Sequence, residues 1–284
     1  ISRYPKVRRL SQIKDDLDFY TGFEGLIDTW KTVALMEFRA LEKKTASFDQ
    51  FGSIVERFFK MLSACRFNHP FVVPPEGSPV GVVVVTSDGG LSGGLDRKLV
   101  MGAASQAEGD DDQIIVIGRQ GDAYLQGTGR RYLSFPGVQD DARYQLAAQV
   151  LKHVAGEVLA GRLGVVKVVY AKPLSIIVQK VVMIDLLPCT GELQGERSAY
   201  IENVIFESTP DDLVEYLAYL WVGQKLYEIF GLARLAEVAA RFMHAEDSLE
   251  KVKEINKKFE LEHFRVRHEI VDQQMREIAA SRSA

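Results

Sequence analysis

The stretch best equipped for chemistry is Ser87-Asp88-Gly89-Gly90-Leu91-Ser92-Gly93-Gly94-Leu95, which follows an apolar run and precedes a helical one. Backbone N–H groups at a glycine turn opening a helix bind phosphate, because they point at the ligand and the helix dipole favours negative charge there. The spacing matches neither G-x-G-x-x-G nor G-x-x-x-x-G-K-[ST], so neither nucleotide fingerprint is met. The competing reading is conformational: the glycines let the chain turn tightly and approach a neighbouring helix. The missing fingerprints favour this second reading.

Other reactive side chains lack partners. His263 and His268 lie five residues apart and so share no helix face, and no nearby cysteine completes a zinc set. Asp110, Asp111 and Asp112 read as a solvated loop, since no EF-hand spacing surrounds them. Ser87 with Asp88 lacks the G-x-S-x-G elbow of a hydrolase. His153 falls in a helical pattern and reads as a packed or surface residue. No catalytic group, metal or cofactor is expected from these residues.

The glycine turn needs a strand and a helix to hold it, and the neighbouring sequence supplies both. Residues 80–86 form a β-branched run that suits a strand covered on both faces, and 96–104 read as helix. Further strands are expected at 113–117, 165–170 and 176–187, with a short helical pattern after Gly121 and a longer one at 142–159. Strands alternating with helices imply a Rossmann-like α/β layer, parallel or mostly so. Pro70, Pro74, Pro75, Gly77 and Pro79 mark the entry to this domain. The expected division is 1–69 helical, 70–209 α/β and 210–284 helical.

Both flanks carry apolar residues at helical spacing. Across 211–284, which has no proline, Leu213, Leu217, Leu220, Tyr227, Leu235, Val238, Phe242, Ala245, Leu249, Val252, Phe259, Val266 and Ile270 recur close to the 3.5-residue repeat of a coiled-coil seam. Asp211 and Asp212 suit the positive end of a helix dipole. One helix of this length reaches roughly 105 Å, so it must pair with another long helix or leave the body of the protein. The N-terminal flank offers a partner stripe from Leu10, Ile13, Leu17, Tyr20, Ile27, Ala34, Phe38 and Leu41 to Phe48, Val55, Phe58 and Leu62. Glu24 and Lys31 interrupt it, and Gly22, Gly25 and Gly52 each cost about 1 kcal/mol of helix propensity relative to alanine. The fold class is therefore α/β with an antiparallel coiled coil of the terminal helices.

Composition narrows the partners. The 284 residues are 46% apolar and 26% charged, with a net charge of −4. This gives no global argument for nucleic acid or an anionic membrane. Cys65 and Cys189 are the only cysteines, too few for a disulfide framework, and no apolar run approaches the roughly 20 residues of a membrane span.

These motifs together resemble the gamma subunit of F-type ATP synthases. The turn at 87–96 is similar to the family's S-D-R-G-L-C-G-G-L-N, with Gly89 for the arginine, Ser92 for the cysteine and Asp96 for the asparagine. Val33-Ala34-Leu35-Met36-Glu37-Phe38-Arg39 resembles V-A-A-A-K-L-R, and Ala239-Ala240-Arg241-Phe242 resembles A-A-R-M. Arg265-Val266-Arg267-His268 stands at K-A-R-Q, and Gln273-Gln274-Met275-Arg276-Glu277-Ile278 at Q-E-[LI]-x-E-I. The five motifs lie in the family's order across nearly the whole chain.

The resemblance implies a non-catalytic rotor shaft. Its paired helices would enter a head of three alpha and three beta subunits, and its α/β domain would rest on the membrane c-ring beside the epsilon subunit (delta in mitochondria). It implies no bound nucleotide, and a peripheral position on the cytoplasmic side of a bacterial plasma membrane or the matrix side of a mitochondrial inner membrane. Rotor–stator contacts are expected at Arg265, Arg267, His268, Gln273 and Lys31, and Ser87, Asp88, Gly89, Gly90, Gly93 and Gly94 form the family turn. Glu37 reverses a family lysine, while His268, Asp272 and Gln274 replace glutamine, threonine and glutamate. The loop 188–198 is the candidate contact with the ring or epsilon. Two alternatives stand beside this one: a nucleotide-binding α/β enzyme, and a coiled-coil adaptor that kept the fold without turning.

Overall fold

β-Branched runs alternating with amphipathic helices build the central layer. A computed structural model describes residues 10–45, 69–189 and 209–282. The described elements are α1 (Leu10–Thr45), β1 (Val80–Val85), α2 (Leu95–Ala104), β2 (Gln113–Ile117), α3 (Arg119–Leu125), β3 (Tyr132–Phe135), α4 (Arg143–Leu159), β4 (Val165–Pro173), β5 (Gln179–Leu187) and α5 (Pro210–Arg282). Contacts divide the chain into two units, residues 1–34 with 242–284, and residues 35–241.

The 35–241 unit holds a five-stranded sheet in the order β3-β2-β1-β4-β5. Its first four strands run parallel, and β5 returns antiparallel to β4. Alternation along β1 sends Val83 and Val85 to one face and Val82 and Val84 to the other. On the first face α4 and the 214–233 part of α5 complete a core around Val150, Val154, Leu226 and Phe230. On the second, α2 supplies Leu99, Val100 and Ala103, and α3 supplies Leu125.

The layer is mostly parallel, as expected, with differences of local origin. β3 was absent from the reading because four residues carry little periodicity. The run expected as one strand over 176–187 starts at Gln179. Before it, Leu174 and Ser175 N–H donate to the Val178 carbonyl (2.9 and 3.2 Å) and Ser175 Oγ accepts from Ile177 and Val178 N–H. Those local bonds make a turn out of apolar residues.

In the 1–34 with 242–284 unit, α1 lies antiparallel on α5. Ile27 packs with Leu249 and Val252, and Tyr20 stacks on Phe259 with ring centroids 5.4 Å apart. The polar residues on the expected seam are matched across it: Lys31 Nζ lies 2.8 Å from Glu246, and Asn256 Nδ2 donates to Glu24 at 2.8 Å. Ile13, Ile27, Ala34, Phe38 and Leu41 are buried as the stripe requires. Phe48, Val55, Phe58 and Leu62, with Gly52 and Cys65, lie outside the described residues.

A single seam understates α5 within the 35–241 unit. Ala218, Val222, Ile229, Ala233, Ala236 and Ala240 are also buried, because the sheet layer covers a second face of the helix there.

Candidate functional site

The sheet order places the glycine turn at a switch point. β1 and β4 are neighbours whose connections leave in opposite directions, and open α/β sheets bind ligands outside the strand ends at such a point. Here the position an anion would take is filled by a side chain of the protein itself. Asp96, 4% exposed, lies in the first turn of α2. Its Oδ1 accepts from Ser87 N–H (2.8 Å) and its Oδ2 from Ser92 Oγ (2.6 Å). Ser87 Oγ stands 2.9 Å from Oδ2 and 2.6 Å from the Gly89 carbonyl, with one proton to give. The remaining cavity, about 10 Å³ between Thr86, Ser87, Ser92, Asp96, Arg234 and Glu237, is close to the room one water needs. A phosphate would meet a carboxylate there instead of free N–H groups.

Backbone conformation explains the glycines. Gly93 and Gly94 have φ of 61° and 83°, and Leu91 reaches 68°, in the left-handed region that suits glycine. A Cβ at Gly89 would stand 2.5 Å from Arg241 Nη2. The guanidinium of Arg241 therefore occupies the space beside the position where the family has arginine. Asp88 braces the turn from its other side, its Oδ1 accepting from Arg119 N–H (3.0 Å) and Gly137 N–H (3.1 Å).

α5 closes the turn with charge. Glu237, 7% exposed, accepts from Arg234 at 2.9 Å and from Arg241. Arg234 also donates to Glu37 of α1 at 2.5 Å. Glu37, which reverses a family lysine, thus has its cation within the chain. Burial pushes the Glu237 carboxyl above its ordinary range against the pull of Arg234 and Arg241.

Asp96→Asn keeps one acceptor oxygen and is expected to cost about 1 kcal/mol, whereas Asp96→Ala leaves Ser87 N–H unpaired in a buried site and should cost about 2–3 kcal/mol. Denaturant unfolding of the two variants checks this; equal losses would contradict the hydrogen-bond account.

The other candidates have structural roles. Asp112 holds Val80 N–H and Gly109 N–H, each at 2.8 Å, while Asp110 and Asp111 are exposed. His153 is half-buried, its ring 6.2 Å from that of Phe135. Among the described residues no group of three or more His, Cys, Asp or Glu could hold a metal ion.

The expected contact residues do not form one cluster. Arg265, Arg267, His268 and Gln273 are exposed on the distal part of α5, where Gln273 donates to Glu277 at 3.2 Å. Lys31 sits on α1 at the level of Glu246, whose hydrogen bond holds its ammonium above the ordinary lysine value. Sequence reasoning missed a further stripe on α1. Phe19, Phe23, Leu26, Trp30 and Val33 are exposed at steps of four and three, a heptad spacing that runs beside the buried stripe and is as regular as it.

The fold is thus a five-stranded, mostly parallel α/β layer with antiparallel packing of its terminal helices, and its glycine turn is closed by its own aspartate. A family model described as ATP synthase matches residues 9–284, and the chain belongs to that family. Relatives called ATP synthase gamma chain include those of Heliobacterium modesticaldum, 22% identical over 98% of this chain and 97% of its own length, and of Desulfitobacterium hafniense, 25% identical over 93% and 94%. Among solved structures, a chain of the Euglena gracilis mitochondrial ATP synthase (OSCP/F1/c-ring, rotational state 3) aligns with a TM-score of 0.72 and 18% identity over 97% of this chain and 94% of its own. A chain of the rotor of the same synthase aligns with a TM-score of 0.68 and 18% identity over 92% and 98%. These alignments bear out the fold class read from the sequence.

Proposed function

We propose that the chain is the central rotor shaft of an F-type ATP synthase, coupling rotation of a membrane ring to ATP synthesis or hydrolysis in an alpha/beta head. The observation that carries this reading is the family match running from residue 9 to 284 over a fold whose last helix, α5, spans 73 residues. The terminal parts 1–69 and 210–284 act as the shaft, and 70–209 as the foot on the c-ring beside epsilon or its mitochondrial counterpart, delta. The chain carries no catalysis of its own: ATP chemistry resides in the beta subunits, and the shaft biases their states through an asymmetric surface.

The distal part of α5 supports the contact reading. Arg265, Arg267, His268 and Gln273 stand there among exposed Leu261, Phe264, Ile270, Val271, Met275 and Ile278. Apolar surface of that extent marks an interaction site. The exposed stripe of α1 offers a second surface to the head. No described helix is long and apolar enough to cross a membrane. In the rotor reading the chain is held at the membrane through the complex, on the cytoplasmic or matrix side. Residues 190–198 of the loop assigned to the ring lie outside the described residues.

Reconstitution with cognate alpha and beta subunits tests this reading. The intact chain is expected to assemble and support ATP turnover, and a chain ending at Leu261 to assemble or turn over several-fold less well. A chain that neither joins the head nor alters its activity would instead be an adaptor.

A further inference from the structure

A shaft under load must resist slip between its helices and the α/β layer. Apolar packing is non-directional, so it opposes separation more than sliding. Where α5 passes the glycine turn, the residues it adds to the cores of the α/β layer are the small Ala233 and Ala236, which let the backbones approach but offer few knobs to interlock, while Leu235 and Val238 are buried outside those cores. At this same level charge joins α1 to α5, and a guanidinium of α5 packs against the turn. Arg234 bridges Glu37 of α1 and Glu237, Glu237 holds Arg241, and the Arg241 guanidinium lies against Gly89. Asp96, which lines the same small cavity as Arg234 and Glu237, fixes the turn through Ser87 and Ser92. Charge-assisted bonds from a planar guanidinium carry geometric specificity as well as energy. Lys44, Asp140, Arg143 and Tyr227 form a second polar chain from α1 through α4 to α5, but it does not reach the glycine turn, whereas this ladder runs from α1 through α5 to the turn.

We propose that the Glu37–Arg234–Glu237–Arg241 ladder, seated on Gly89, is the joint that keeps the α/β layer from slipping on the two helices under torque. The inference rests on the rotor reading above. Gly89 matters because a side chain there would displace the guanidinium. Glu237 matters because Arg234 and Arg241 both donate to it.

The test uses the full chain in a complex with its alpha, beta, epsilon and membrane subunits in proteoliposomes, measuring ATP hydrolysis alongside proton pumping by dye quenching. Glu237→Gln and Gly89→Ala are expected to leave hydrolysis within about twofold of wild type and to lower protons pumped per ATP by about threefold or more. Arg241→Lys keeps the charge without the planar fork and should fall between. Glu37→Gln, on the less buried end of the ladder, changes the same ratio in a chain expected to fold normally.

An unchanged ratio in Glu237→Gln and Gly89→Ala, with the chain incorporated, overturns the joint. So does a loss that merely tracks reduced incorporation. If wild type pumps and the variants match it, the joint alone fails. If wild type itself supports no pumping, the rotor reading fails and the joint falls with it.

Discussion

Gly118→Ala is expected to destabilise the protein by at least about 3 kcal/mol, combining backbone strain of about 1–3 kcal/mol with a clash that nothing flexible can relieve. Gly118 lies between β2 and α3 with φ of 100° and ψ of 144°, a region open essentially to glycine alone. A Cβ there would run into the Thr86 carbonyl oxygen and stand 2.8 Å from that of Ser87. Both are backbone atoms at the end of β1, so relief would require moving the strand that carries the glycine turn. Gly118 N–H meanwhile donates to Phe135 O at 3.0 Å, which ties β3 to the same corner. Gly156→Ala provides the contrast. Gly156 lies inside α4 with nothing within 4 Å of an added Cβ, so alanine should stabilise by about 0.5–1 kcal/mol. Denaturant unfolding of the two variants measures the difference directly. Similar small effects at both sites would mean that the corner beneath the turn is not tightly determined.

Fold class and family were legible because they rest on signals that survive divergence. β-Branched runs followed by glycine turns locate β1 and β2, and the long 3.5-residue repeats locate α1 and α5. The polar seam residues Glu24 and Lys31 looked like defects from the sequence. Their partners, Asn256 and Glu246, lie more than 200 residues away, and no local pattern reports such a pairing. The same limit hid the charge ladder. Glu37 read as the reversal of a family lysine and Gly89 as the loss of a family arginine, yet both departures are answered within the chain, by Arg234 and by Arg241. Ser92 and Asp96 replaced a cysteine and an asparagine at separate positions, but a hydroxyl donating to a carboxylate makes them one hydrogen-bonded unit. The missing fingerprints favour a conformational turn over a phosphate site, and side-chain geometry adds that its N–H and hydroxyl donors converge on Asp96. The exposed stripe from Phe19 to Val33 could have been read, since its spacing is as regular as that of the buried one. Periodicity identifies an apolar face without saying what covers it.

Phe230→Ala is expected to cost about 3–5 kcal/mol, a large share of the roughly 5–15 kcal/mol that holds a typical domain together. Phe230 is fully buried in the core shared by the sheet, α4 and α5, and removing its ring leaves a cavity that the β-branched neighbours Val150 and Val154 cannot easily fill by changing rotamer. Phe264, on the same helix, is 55% exposed, and Phe264→Ala should change stability by no more than about 0.5 kcal/mol. The pair separates two duties of α5. Its first part is a core element whose apolar residues fold the α/β layer, whereas the exposed aromatic and aliphatic residues of its distal part are free of that duty, in keeping with the docking surface proposed there. In the assembled complex the order of effects should reverse: Phe264→Ala should weaken association with the head while leaving the melting temperature of the isolated chain unchanged. A Phe264 variant that lost stability as Phe230→Ala does would place that residue in the core and remove this support for a docking surface at the end of the helix.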